Sequence, residues 1–146
     1  MKISICGSIQ FTKEMKELSD RLAEKGHVVE IPDGAMRILS GERTMEEHLE
    51  SVDKGEGYKA KMKHDAIRKY FDKIKESDCV LIANYTKKNI EGYIGGNTFL
   101  EIGFAYVLRK PIYLLCPIPE MAYKDEIIVM SPIVINGDLD KIPLTL

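Results

Sequence analysis

The stretch Gly92-Tyr-Ile-Gly-Gly-Asn-Thr-Phe-Leu-Glu-Ile-Gly-Phe-Ala-Tyr-Val-Leu-Arg-Lys-Pro-Ile-Tyr-Leu-Leu115 holds a glycine turn, a helix, a proline stop and a strand in immediate succession. Gly95-Gly96 opens the turn, and the helix is predicted to start near Asn97. Phe99, Leu100, Ile102, Phe104, Ala105 and Leu108 follow at helical spacing and suit a mostly buried helix. Pro111 cannot continue it. Ile112 to Leu115 is a short continuous apolar run, the pattern of a strand buried on both faces. A buried strand reached directly from a buried helix is one half of a parallel crossover, and that decides the fold class.

One polar residue, Glu101, interrupts the first apolar turn. Two readings compete for it. Thr98 and Glu101 fit the Thr-x-x-Glu capping box, as do Thr44 and Glu47. Alternatively Glu101 is a catalytic carboxylate. The positive end of the helix favours negative charge, so the expectation is an ionised side chain able to act as a nucleophile. Free amides of the same turn could hold anionic or hydroxyl groups of a ligand.

Outward from this stretch the same alternation recurs. Residues 2–6 read as a first strand, and Gly7-Ser8-Ile9-Gln10 turns into a helix from about Thr12 to Lys25, with Met15, Leu18 and Leu22 as its apolar stripe. Residues 27–31 are the second strand, ended by Pro32-Asp33-Gly34. Lys61 to Glu76 is predicted helical, with Ile67, Tyr70, Phe71 and Ile74 inward. Cys79 to Ala83 is the third strand and Ile112 to Leu115 the fourth; a helix from Pro119 to about Met130 leads to a fifth at Pro132 to Ile135. Strands alternating with helices imply an α/β, doubly wound, flavodoxin- or Rossmann-like five-stranded parallel sheet with helices on both faces. Ligands in such folds bind beyond the carboxyl ends of the strands. That rim collects Gly7 to Gln10, Asp33-Gly34, Asn84-Tyr85, Gly95 to Glu101 and Cys116-Pro117.

Residues 1–146 read as one domain, with a charged insertion around 35–60 that breaks the alternation. In it Thr44 to Val52 suits a short helix and Lys54-Gly55-Glu56-Gly57 a loop. The insertion is a lid, a dimer arm or a plain surface excursion. Its Glu46, Glu47, His48 and Glu50 lack the spacing of a zinc motif, so no metal site is expected. The net charge of −2 gives no basic footprint for a nucleic-acid polymer. No apolar run approaches a membrane span, and the first strand begins without signal-peptide anatomy, so a cytoplasmic protein is expected. Cys6, Cys79 and Cys116 lie in apolar runs without a Cys-x-x-Cys and read as free thiols. Neither a Walker A sequence nor Gly-x-Gly-x-x-Gly is present, so no nucleotide cofactor is expected and none of another kind is indicated.

Three motifs together resemble the nucleoside 2-deoxyribosyltransferase family, which includes the 2'-deoxynucleoside 5'-phosphate N-hydrolases. Cys6-Gly7-Ser8-Ile9 is similar to the family's first-strand turn. Ser77-Asp78-Cys79-Val80-Leu81-Ile82-Ala83-Asn84 is similar to its strand ending in Ala-Asn. Thr98-Phe99-Leu100-Glu101-Ile102-Gly103-Phe104-Ala105-Tyr106 with Lys110-Pro111-Ile112 is similar to its Gly-Thr-x-x-Glu-x-Gly-x-Ala helix and Lys-Pro strand. The resemblance implies that Glu101 is the nucleophile, that the substrate is a small nucleoside or nucleotide, and that the enzyme is a hydrolase or a transferase acting on an N-glycosidic bond. It also implies a homo-oligomer, a dimer or larger, whose neighbouring subunit completes the site.

The chain departs from that pattern in three places. Gly95-Gly96-Asn97 precedes Thr98 where the family has Asp or Ser, a residue, then Gly. Gln10 stands where the monophosphate hydrolases carry Arg, so only a modest preference for a 5'-phosphate is expected. Tyr70 occupies the position of the family's base-side Asp; Asp65, at the rim end of its helix, is the nearest acidic candidate for a general acid, with the Tyr70 hydroxyl second. The substrate-binding expectation comprises Gly7, Ser8, Ile9, Gln10, Asn84, Gly95, Gly96, Asn97 and Thr98. Two other functions compete. Gly95-Gly96-Asn97-Thr98-Phe99-Leu100-Glu101 also resembles, one residue short, the Gly-Gly-x-Gly-Thr-x-x-Glu of the lysine-decarboxylase-like phosphoribohydrolases. A non-catalytic nucleotide-binding or sensing module is the third.

Overall fold

The computed structural model describes residues 1–146. Five parallel strands run through it: β1 Lys2–Cys6, β2 Val28–Glu30, β3 Cys79–Ile82, β4 Ile112–Leu114 and β5 Ile133–Val134. Their order is β2-β1-β3-β4-β5, the flavodoxin order of a doubly wound α/β fold. Strand β3 sits in the middle and its four residues are wholly buried, which is why its sequence shows no polar alternation. Ile3 and Ile5 of β1, with Cys79 and Leu81 of β3, point to one face, against Met15, Leu18 and Leu22 of α1 Thr12–Glu24. Cys6, Val80 and Ile82 point to the other. There they meet Tyr70 and Ile74 of α5 Ala66–Glu76, Ile102 and Ala105 of α6 Gly96–Val107, and Ile127 of α7 Lys124–Val129. This period-2 division between two helix layers is the physical content of the fold.

Two helices differ from expectation. The periodicity over 61–76 is not one helix: α4 Gly57–Lys63 and α5 are separated at His64-Asp65, where Asp65 takes φ 47°. An aspartate tolerates that left-handed conformation better than most residues. The break lets α5 pack on the sheet while α4 turns away over the strand ends. The helix expected from Pro119 begins only at Lys124; before it, Tyr123 stacks on Phe99 at 4.5 Å and donates to the Ile94 carbonyl. Between β2 and α5 also lie α2 Asp33–Leu39 and α3 Met45–Asp53. The insertion is therefore helical throughout most of its length. No helix is long and apolar enough to cross a membrane.

Candidate active site

The carboxyl ends of β1, β2 and β3 open toward the switch point between β1 and β3. A cavity of about 300 Å³ lies there, at the lower end of what small-ligand sites occupy. Its floor is Gly7, Ser8 and Ile9 after β1 and Pro32, Asp33 and Gly34 after β2. Tyr70 and Ile67 of α5 form one wall, and Gly95 through Thr98 with Leu100, Glu101 and Phe104 of α6 form another. The insertion closes the remaining side with Arg43, His48, Val52, Gly57, Ala60 and Lys61.

Glu101 lines the cavity as the sixth residue of α6, because the helix starts at Gly96 rather than at Asn97. Its cap is Gly95, and no side chain caps this end. The capping box at Thr98 and Glu101 is thus absent, and Glu101 lies beyond the first turn, where the helix dipole acts most strongly. At Thr44 the same sequence pattern does cap: its hydroxyl accepts from the Glu47 amide at 3.0 Å. The residue Glu101 as a whole is only half-buried, but its Oε2 has neither solvent contact nor a hydrogen-bond partner. Burial pushes the carboxyl from its ordinary 4.5 up to about 8; the Cys6 thiol beside it and the charge of Lys61 favour the ionised form and are outweighed. The expectation of a carboxylate ionised by the helix end is therefore corrected. At neutral pH Glu101 is mainly a neutral acid, because desolvation exceeds every favourable charge near it.

The other expected residues divide. Gly7, Ser8, Ile9, Gly95, Gly96, Asn97 and Thr98 line the cavity. The amides of Gly96, Asn97 and Thr98 are in the first turn and have no intrahelical acceptor. Tyr70 also lines the cavity, but its hydroxyl donates to the Ile5 carbonyl and burial holds its pKa well above the ordinary value. That hydroxyl is committed to the sheet and is poorly placed to give up a proton. Gln10 is exposed and lies outside the cavity. Asp65 also lies outside it, about half exposed and paired with Arg68 at 3.2 Å one turn on. The helix break at Asp65 turns its side chain to solvent.

Asn84 is at the rim by sequence position but does not reach the cavity. Its amide nitrogen donates to the carbonyls of Gly92, Cys116 and Pro117, and its Oδ1 accepts from the Cys116 amide at 2.9 Å. The side chain ties the loop after β3 to the loop after β4. Gly92 shares this joint: at φ 69°, a Cβ there would stand 2.2 Å from the Pro117 carbonyl oxygen, so only glycine fits. Asn84→Ala is expected to cost ~2–4 kcal/mol, since it orphans one buried donor and several acceptors together. Urea denaturation checks it; a loss below ~1 kcal/mol would mean that water takes over those bonds.

Four basic residues of the cavity lining escaped the sequence reading as site residues. Lys87 reaches the Ser8 hydroxyl at 3.0 Å, and Lys61 the Asn97 side-chain oxygen at 3.3 Å. Arg43 donates to the Ser51 hydroxyl at 2.7 Å. His48 lies among all three: burial first, then the charges of Arg43, Lys87 and Lys61, hold its pKa below the ordinary value. Local patterning treats separated basic residues as a solvated surface, and no short-range signal brings positions 43, 61 and 87 together. The turn that aims Lys87 is visible only in part: Lys88 and Asn89 both take positive φ between the bridged pair Lys87 and Ile90, the geometry of a tight hairpin turn.

No protein-family model matches the chain, and no curated protein matches it in sequence. A solved structure similar to it is that of the Clostridium botulinum CMP N-glycosidase BcmB, 18% identical over 93% of this chain and 90% of that one, with a TM-score of 0.45. A likeness of that size carries no argument about activity.

Proposed function

We propose that the chain cleaves the N-glycosidic bond of a (deoxy)nucleoside or nucleotide, with Glu101 as nucleophile. The observation that carries this reading is the carboxyl of Glu101, which lines a nucleoside-sized cavity and keeps one oxygen buried without a partner. Leaving that acceptor unsatisfied costs stability, and the capping role that would have explained the residue is absent. A functional role accounts for the cost. The sequence resemblance supplies the chemistry. The ionised carboxylate attacks the anomeric carbon, the C–N bond breaks with its electron pair going to the base, and the base takes a proton from solvent. Water, or the nitrogen of a second base, then opens the glycosyl ester. Amides at Gly95 to Thr98 orient the sugar.

Incubating the protein with a panel of ribo- and deoxyribonucleosides and their 5'-monophosphates, with and without a second free base, tests this. Release of free base by chromatography is the expected result, and a new nucleoside in the second arm identifies transfer. A preference for ribonucleotides over 2'-deoxy substrates would move the assignment to a phosphoribohydrolase. Binding without base release from any substrate would make the chain a sensing module.

We also propose a homodimer. Gly96, Leu100, Gly103 and Val107 fall on one side of α6; Leu100 is 45% and Val107 79% exposed, and a Cβ on either glycine would meet nothing. An apolar helix face with two glycines admits close approach of a second helix. Because Gly96 and Leu100 also line the cavity, a partner there would finish its wall. Light scattering at micromolar concentration is expected to give twice the 16.6 kDa chain mass; a monomer mass rules the assembly out.

A further inference from the structure

Three cations line one cavity and none has an acidic partner. Each of the ion pairs in the structure uses other residues; Arg43, Lys61 and Lys87 enter none of them. Their hydrogen bonds go only to neutral oxygens, on Ser51, Asn97 and Ser8. Each of the three faces His48 closely enough to help hold its pKa below the ordinary value. Lys87 is half-buried, and burial lowers its own pKa. Of the two carboxyls in the lining, Asp33 is already bound by Lys73. The other, Glu101, is mainly neutral at pH 7. Arg43 and Lys87 are half-buried and Lys61 is exposed, and no carboxylate of the lining forms an ion pair with any of the three.

The geometry points to an anion subsite in which Lys87, Lys61 and Arg43, with the Ser8 hydroxyl, bind the terminal phosphate of a nucleoside monophosphate. This rests on the N-glycosidase reading for what is done to the ligand, and it reverses the modest phosphate preference expected from Gln10. The chain meets the requirement for positive charge from other elements: Lys87 from the hairpin turn after β3, Arg43 and Lys61 from the insertion. A phosphate monoester carries close to two negative charges at neutral pH, and charge-assisted bonds from lysine and arginine are the strong class for it. The neutral oxygens now bonded to the three cations stand in for phosphate oxygens. The insertion then has a ligand-dependent role, since the same phosphate ties α4 and the segment before α3 to the strand ends.

Calorimetric titration of matched nucleosides and 5'-monophosphates, with ribose 5-phosphate and inorganic phosphate as further arms, tests the subsite. Monophosphates are expected to bind at least ~100-fold tighter than the nucleosides, ~2.7 kcal/mol, and less tightly as salt rises. Lys87→Met and Arg43→Gln are each expected to remove tenfold or more of that preference while nucleoside affinity stays within a few-fold. Inorganic phosphate binding as tightly as the nucleotide would assign the site to free phosphate and overturn the nucleotide reading. Equal affinity of the wild-type chain for nucleoside and monophosphate overturns the subsite even if both variants fail to fold. The two readings fail separately: phosphate preference without base release removes the glycosidase alone, and equal base release from both substrate classes with equal affinity removes the subsite alone.

Discussion

Glu101→Gln is expected to abolish base release and to make the protein more stable, increasingly so as pH rises. Loss of a nucleophile lowers turnover by ~10³-fold or more, and glutamine keeps the shape of the side chain. The stability effect follows from proton linkage. Glu101 goes from an ordinary 4.5 when unfolded to about 8 when folded. Below 4.5 both states hold the proton and the group exerts no pH-dependent effect. Between 4.5 and 8 the unfolded chain releases its proton while the native state keeps it, so stability falls as pH rises. Above 8 both are ionised, and the full cost of a buried carboxylate remains. At 1.36 kcal/mol per pKa unit the cost approaches ~5 kcal/mol. Glutamine does not titrate, so the variant loses this slope and retains only a constant offset. With ~3 °C per kcal/mol for a chain of this size, the gap in Tm between variant and wild type should widen by ~10 °C from pH 5 to pH 9. A gap that stays constant would show that the carboxyl is solvated. Near-normal turnover by the variant on an established substrate would remove Glu101 from the chemistry.

What the sequence made legible, and what it did not, follows from the range of the interactions. The sheet was readable because β3 and β4 are buried on both faces: Val80, Leu81, Ile82 and Leu114 are wholly covered, and such strands leave continuous apolar runs. Glu101 was readable for the opposite reason, as a single carboxyl in an apolar helix. Its ionisation was not, because the balance is set by burial in the fold against Cys6 and Lys61, residues distant in sequence. The insertion was opaque because, apart from Ala35, its apolar residues do not enter the core. Met36 is 50% exposed, Leu49 40% and Val52 52%, so no periodic stripe marks which way α2 and α3 face. Asn84 shows the limit of reading function from rim position. A polar residue at a strand end is equally suited to a ligand and to the backbone of neighbouring loops, and here three carbonyls and an amide claim it.

The pH dependence of catalysis should be steep. If Glu101 attacks as the carboxylate, kcat/KM reports the fraction of free enzyme in which it is ionised. With a pKa of about 8, about a tenth of the plateau is reached at pH 7 and about a hundredth at pH 6. A nucleotide substrate adds a second factor, since its phosphate loses its last proton near ~6; below that the slope of log kcat/KM should approach two, while a nucleoside stays at one. A dianion against the charges of Arg43, Lys61 and Lys87 leaves the cavity net positive, so a bound nucleotide need not drive the carboxyl back to its neutral form. The reverse profile, activity falling above pH 8, would identify Glu101 as the proton donor to the leaving base and not its nucleophile. Rate measurements from pH 5.5 to 9.5 on a nucleoside and its monophosphate, with Tm followed in the same buffers, separate these outcomes. A flat kcat/KM profile across 6 to 9 would show that Glu101 already has an ordinary pKa in the free enzyme.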